Sequence, residues 1–176
     1  MNEIILVDEK DNQIGLMDKL EVHQKGLLHR AFSIFIFNSK KELLLQCRAA
    51  NKYHSGSLWS NTCCSHPQNG ENLIEAAKIR LQQEMGFTSE IKPVFTFIYK
   101  AQLNNNLTEH EFDHVFFGEY NAAPKINTNE VSNWHYKNMD EIKIDLQNNP
   151  QNYTVWFAKI FDKVKKTIEN DFFEIG

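Results

Sequence analysis

Five side chains spread over three stretches, His23, His29, His66, Glu109 and Glu111, are of the types that hold a divalent metal ion. Glu109 and Glu111 stand two apart in a stretch that reads as a strand, so both carboxylates project from one sheet face and His110 from the other. Three imidazoles with two carboxylates suit a six-coordinate Mg2+ or Mn2+, or a zinc ion in unusual geometry. Taken singly, a loop histidine is usually a surface residue and an alternating Glu-His-Glu is usually a solvated strand face. No zinc finger is spelled out: there is no C-x-x-C, and the neighbours Cys63 and Cys64 cannot both reach one metal comfortably.

A second pattern lies on the clearest helix, expected over Asn72–Gln83 and stopped by Gly86. Leu73, Ala76, Ala77 and Leu81 mark its core-facing stripe, and Arg80 and Glu84 fall on that same stripe. A guanidinium and a carboxylate on a packed face need either each other or a ligand. One reading is an internal ion pair; the other is an anion-and-metal site, with Arg80 toward a phosphate and Glu84 toward a divalent ion.

The elements that must position these groups begin with a strand at Glu3–Asp8 and turn chemistry at Asp11-Asn12. Arg30–Phe37 and Glu42–Arg48 read as a hairpin about Asn38-Ser39-Lys40-Lys41. An irregular stretch from Ala49 to Gly70 carries much polar chemistry, as functional loops do. Val94–Leu103 and Glu109–Tyr120 form a second hairpin around Asn104-Asn105-Asn106, followed by a strand near Val131–Tyr136. A last helix carries one apolar stripe through Tyr153, Trp156, Phe157, Ile160, Phe161, Val164 and Ile168. The order predicts an α+β fold, a mixed β-sheet packed between helices as an α/β/α sandwich, in a single domain over residues 1–176.

A formal net charge of -4 excludes a broad basic surface for nucleic acid, while leaving room for a few cations around a small anion. The start has no signal-peptide pattern, and the longest apolar run, Ala31–Phe37, falls far short of a membrane span. Three cysteines, two of them adjacent, read as free thiols in a reducing cytoplasm. Adjacent strand residues face opposite ways, so Cys63 and Cys64 are expected to differ; Cys63 is expected to be a buried structural thiol or a loop neighbour, and Cys47 to lie in the core. No glycine-rich dinucleotide loop follows a strand, so no flavin or other redox cofactor is expected.

The run from Ser65 through Glu71 to Ile79-Arg80-Leu81-Gln82-Gln83-Glu84-Met85-Gly86-Phe87 resembles a degenerate Nudix box. It keeps Glu71, Glu84 and Gly86, but Ser65 replaces the opening glycine, and the Arg-Glu and Glu-Glu pairs of that box read Ile79-Arg80 and Gln83-Glu84, which removes carboxylates that serve hydrolysis. Leu28-His29-Arg30-Ala31-Phe32-Ser33, Leu58 to Pro67 and Thr108-Glu109-His110-Glu111 resemble the signatures of type I isopentenyl-diphosphate isomerases, a likeness running from about residue 4 to Trp156. Asp113 stands where an apolar or thiol residue is found in the family, and the resemblance gives it no role.

The resemblance implies reversible isomerisation of isopentenyl diphosphate to dimethylallyl diphosphate. It places His23, His29, His66, Glu109 and Glu111 on a tightly held Mn2+, Mg2+ or Zn2+, and Glu84 on a Mg2+ shared with the substrate. It sets Lys19, Arg48, Lys52 and Arg80 on the diphosphate, and Cys64, Glu111, Tyr99 and Trp156 at the reacting carbons. Protonating an alkene makes a carbocation-like species, so an acid, a base and an electron-rich face are required; Trp156 supplies a π face worth about 2 kcal/mol when desolvated. Without the resemblance, Trp156 is a core residue on its helix stripe. The expected partner is a small isoprenoid diphosphate, with no nucleic acid or membrane, on a monomer or weak homodimer. A Nudix-type hydrolase of a small organic or nucleoside diphosphate, and a metal-stabilised binding module, are the rival readings.

Overall fold

The structure, a computed structural model, describes residues 3–170; the two ends of the expected 1–176 domain lie outside them. A hairpin of β1 (Glu3–Val7) and β2 (Gln13–Asp18) leads into α1 (Lys19–Lys25), β3 (His29–Phe37) and β4 (Leu43–Arg48). Two short strands, β5 (Trp59–Ser60) and β6 (Cys63–Ser65), precede α2 (Leu73–Met85). The long strands β7 (Ile91–Gln102) and β8 (Thr108–Glu119), then β9 (Val131–Lys137), α3 (Met139–Asn148) and α4 (Val155–Glu169), complete the order.

β3 is apolar on both faces because helices cover both. Phe32, Ile34 and Ile36 pack with Ala76, Ala77, Leu81 and Met85 of α2. Phe35 and Phe37 pack on the opposite side with Met139 and Ile142 of α3 and the Phe157, Ile160, Phe161 and Val164 stripe of α4. This is the α+β arrangement, a mixed sheet between helices, that the sequence predicts. The Asn104–Asn106 hairpin also forms, with Asn105 and Asn106 at φ 61° and 58°, the left-handed pair that an Asn-rich tight turn supplies.

The β3–β4 hairpin is a correction. The two strands pair only at Phe37 and Leu43 and then diverge, because β3 lies beside β8, parallel over its whole length, and β4 beside β9. Asn61 and Thr62 fill the gap. Thr62 Oγ1 accepts from Ile36 N at 2.9 Å and donates to the Leu44 carbonyl at 2.6 Å, while Asn61 Nδ2 donates to the Ile34 and Cys63 carbonyls. Backbone groups that a hairpin would have paired are thereby satisfied, and the chain after Thr62 is delivered into the cleft. Cys47 is a second correction: it is half-buried on β4 opposite Trp59 and Asn133, outside both apolar clusters.

Asn72 caps α2 by accepting from Ile74 N and Glu75 N, and Gly86 closes it at φ 73°. A Cβ on Gly86 would lie 2.1 Å from the Lys125 carbonyl oxygen. Gly86→Ala therefore combines a left-handed backbone with a backbone clash and is expected to destabilise by about 3 kcal/mol. Thermal denaturation should show Tm falling by roughly 10 °C. Among the described residues no helix is long and apolar enough to cross a membrane.

Candidate active site and metal centre

Strand register gathers residues that are far apart in sequence. Parallel pairing of β3 with β8 sets His29 opposite Glu111, antiparallel pairing of β7 with β8 sets Tyr99 opposite the same Glu111, and β6 places Cys64 beside Ser33 of β3. Helix α1 adds Lys19 and His23; Asp18 caps its first amides and Gly26, at φ 63°, ends it after two turns. The result is one cavity of about 600 Å3. Cys64, Tyr99 and Trp156 line it together with the four cations Lys19, Arg48, Lys52 and Arg80. So do His66, Glu84, Glu109 and Glu111, while His23 and His29 are fully buried behind its wall.

The imidazoles and Glu109 form a group that could hold a metal ion. His23 Nδ1 donates to the Lys19 carbonyl at 2.6 Å and His29 Nδ1 to the Leu27 carbonyl at 2.9 Å, which leaves the Nε2 lone pair of each free. Those two Nε2 atoms and Glu109 Oε2 are buried with no hydrogen-bond partner among the described residues. Unpartnered polar atoms inside a protein are costly, and three converging on one point call for a cation. Donor atoms of His23, His29, His66 and Glu109 lie within 4.8 Å of one another. Burial pushes His23 down and His66 down to about 3, so both are neutral, the form that binds metal. Burial and the neighbouring Glu111 charge push Glu109 well up, the direction a bound cation would reverse.

Glu111 is held on both oxygens. Oε1 sits 3.0 Å from His66 Nε2 and 3.6 Å from His29 Nε2, at the border of the metal group, and Oε2 accepts from Tyr99 Oη at 2.7 Å. Burial would raise its carboxyl; the hydrogen bond from His66 and the nearby His29 ring outweigh burial and hold it well below the usual range. Cys64 goes the other way, pushed up to about 12 by burial, so it stays a thiol. Its thiolate fraction at pH 8 is then about 10^-4, against about a quarter for an ordinary thiol. Iodoacetamide labelling of Cys64, read by mass spectrometry, should run about a thousandfold below a free thiol at pH 8. It should keep rising tenfold per unit beyond pH 9. Cys63 is fully buried in the α2-side cluster, as expected of a structural thiol.

The Arg80–Glu84 ion pair forms, Nε to Oε1 at 2.8 Å, as the first reading of that stripe has it, and both residues also line the cavity. Gln46 donates to the other Glu84 oxygen at 2.9 Å. Arg80 Nη2 reaches Glu130 at 2.9 Å and Lys52 pairs with the same carboxylate, which therefore occupies two of the four cations. The Arg48 guanidinium lies 5.2 Å over the Trp156 ring, whose buried Nε1 has no hydrogen-bond partner among the described residues. Asp113 is buried on the Glu111 face, accepts from Ser33 Oγ at 2.7 Å, and is pushed well up by burial and by Glu111.

Sequence reasoning missed Tyr53, His54 and Glu130, all of which line the cavity. Tyr53 and His54 lie in the irregular Ala49–Gly70 stretch, where no periodicity assigns a direction to any side chain.

A family model of the NUDIX domain matches residues 27–157. The chain is 53% identical over 163 residues to an isopentenyl-diphosphate Delta-isomerase 2 of Photorhabdus laumondii, covering 92% of this chain and 92% of that protein. It is 49% identical over 164 residues to an isopentenyl-diphosphate Delta-isomerase of Pectobacterium atrosepticum, covering 93% and 92%. Among solved structures, a Deinococcus radiodurans protein superposes with a TM-score of 0.76 at 16% identity, over 92% of this chain and 98% of that one. A MutT protein of Methanosarcina mazei gives 0.65 at 18%, over 79% and 94%. At these identities the structural likeness shows the fold.

Proposed function

The chain belongs to the Nudix family and, within it, to the isopentenyl-diphosphate Delta-isomerases, and from that premise we propose that Cys64 and Glu111 are the two groups that move its protons. The enzyme interconverts isopentenyl and dimethylallyl diphosphate: a proton is added to the terminal methylene and another is removed from the carbon two positions away. One proton-handling group must begin loaded and the other empty. One cavity lined by both Cys64, a thiol kept protonated by burial, and Glu111, a carboxylate bonded by His66 and Tyr99, is the single observation that carries the assignment. Because the reaction is reversible, each group is the acid in one direction and the base in the other. Tyr99, donating to Glu111 Oε2, orients that carboxyl and stabilises its charge.

Divalent metal is part of this family's chemistry, and His23, His29, His66, Glu109 and Glu111 would hold a Mn2+, Mg2+ or Zn2+ whose charge, once bound, fixes Glu111 and lowers its pKa. Glu84, at the diphosphate end, would ligate a Mg2+ that arrives with the substrate. Lys19, Arg48, Lys52 and Arg80 bind the diphosphate; Lys52 and Arg80 exchange Glu130 for it. Anchoring there positions the alkene, so that remote binding energy is used at the reacting carbons. Trp156, on the cavity wall, offers its ring to the developing cation.

Incubation with isopentenyl diphosphate and Mg2+ in D2O tests the reading. Deuterium should enter the new methyl group of dimethylallyl diphosphate with no inorganic phosphate formed. Phosphate release without deuterium incorporation would establish a hydrolase instead.

A further inference from the structure

His54 stands on the loop between β4 and β5 and is only 7% exposed. Its ring is restrained from several sides. Ser55 Oγ lies 3.2 Å from Nδ1, and the Tyr53 and Trp156 rings meet it edge-on with centroids at 4.3 and 5.8 Å. The loop beneath is equally fixed. Arg48 donates to the carbonyls of His54 and Ser55, Ser55 and Ser57 take left-handed backbone at φ 53° and 64°, and a Cβ on Gly56 would lie 2.6 Å from the Ala50 carbonyl oxygen. A ring so constrained has one direction open to Nε2, and Glu109 Oε1 stands there at 3.6 Å.

Glu109 thus divides its oxygens between two sides. Oε2, with no hydrogen bond, looks toward His23 Nε2 at 3.4 Å and His29 Nε2 at 4.0 Å, while Oε1 looks toward His54. Facing Glu109 as the carboxylate that a bound cation would make it, His54 Nε2 carries the proton, so Nδ1 accepts from the Ser55 hydroxyl. We propose that His54 is a positioning residue of the metal centre, its Nε2–H dipole holding Glu109 by the outer oxygen so that the inner oxygen is presented to the ion. The contact is longer than a hydrogen bond; it acts as a charge–dipole attraction, which is strong in a buried, low-dielectric wall. The inference rests on the His/Glu cluster being a metal site and adds to it a residue that does not itself ligate.

The test compares two substitutions of similar shape that differ in whether an N–H is present. Zn2+ affinity of the full-length protein is measured by competition with a chromophoric chelator, alongside pyrophosphate affinity and thermal stability. His54→Met is expected to weaken Zn2+ by about 10–100-fold, the usual effect of removing a partner of a metal ligand. His54→Gln, whose amide restores a donor, should stay within about threefold of the parent chain, and pyrophosphate affinity should stay within about threefold in both. Equal Zn2+ affinity in the Met and Gln chains would overturn the role of the N–H, whatever both lose relative to the parent. A parent chain that binds no Zn2+ would overturn the metal-site reading itself, an outcome distinct from equal variants of a metal-binding parent.

Discussion

Cys64→Ala is expected to yield a folded protein that binds divalent metal as tightly as the parent and forms dimethylallyl diphosphate about 10^4-fold more slowly, the upper end of what one positioned proton donor contributes. That loss corresponds to about 5.5 kcal/mol of transition-state stabilisation. Retained folding follows from where the side chain sits. Cys64 lines the cavity and only borders the α4-side core, so deleting its sulfur leaves no sealed hole. Retained metal binding follows because its thiol is not in the group formed by His23, His29, His66 and Glu109. Cys63→Ala makes the opposite pair of expectations. Its thiol is fully buried among Phe32, Ile34 and Leu81, so stability falls by about 1–2 kcal/mol while turnover is largely kept. Rate, metal content and melting temperature measured on both variants separate chemistry from packing. A Cys64→Ala chain that retains a tenth of parental turnover would remove Cys64 from the reaction.

The parts of this site that could be read before folding are those whose geometry is local. Glu109 and Glu111 share a face because strand side chains alternate, and both are found on the cavity side with His110 turned away to the Gly26 carbonyl. The capped helix α2, with Asn72 before it and Gly86 after, carries its Arg80–Glu84 pair where helical spacing puts it. What no local pattern discloses is the parallel pairing of β3 with β8, segments some eighty residues apart, although that pairing alone brings His29 to Glu111. The apparent β3–β4 hairpin misled for the same reason: its turn is genuine, but longer-range partners won the edges of both strands. Helix α1 was missed because seven residues are too few to show a period, though its Asp18 cap and Gly26 stop stand in the sequence. Helix α3 had a comparable cap in Asn138. His54 had no signal of direction at all, since it belongs to a loop held by backbone contacts to Arg48 rather than by a periodic face.

Glu111→Gln is expected to do more damage than any other single change, about 10^5-fold in turnover, because in the proposed mechanism one side chain serves two tasks. Its Oε2 takes the Tyr99 hydroxyl on the side of the reacting cavity, and its Oε1 borders the His29 and His66 imidazoles. Glutamine keeps the shape and loses the charge. The proton-transfer role is then forfeited, about 10^2–10^4-fold, and metal affinity falls by a further factor of about 10–100. Glu109→Gln separates the two tasks. Glu109 Oε2 faces His23 and His29, and no hydrogen bond ties it to Tyr99. Its variant should therefore lose metal affinity yet recover most of its turnover when the divalent ion is raised to saturation. The Glu111 variant should remain slow at every metal concentration, since no ion replaces the missing base. Turnover measured across a metal titration for both variants decides the matter: recovery of Glu111→Gln at saturating metal would reduce Glu111 to a ligand and leave Cys64 without its opposite number.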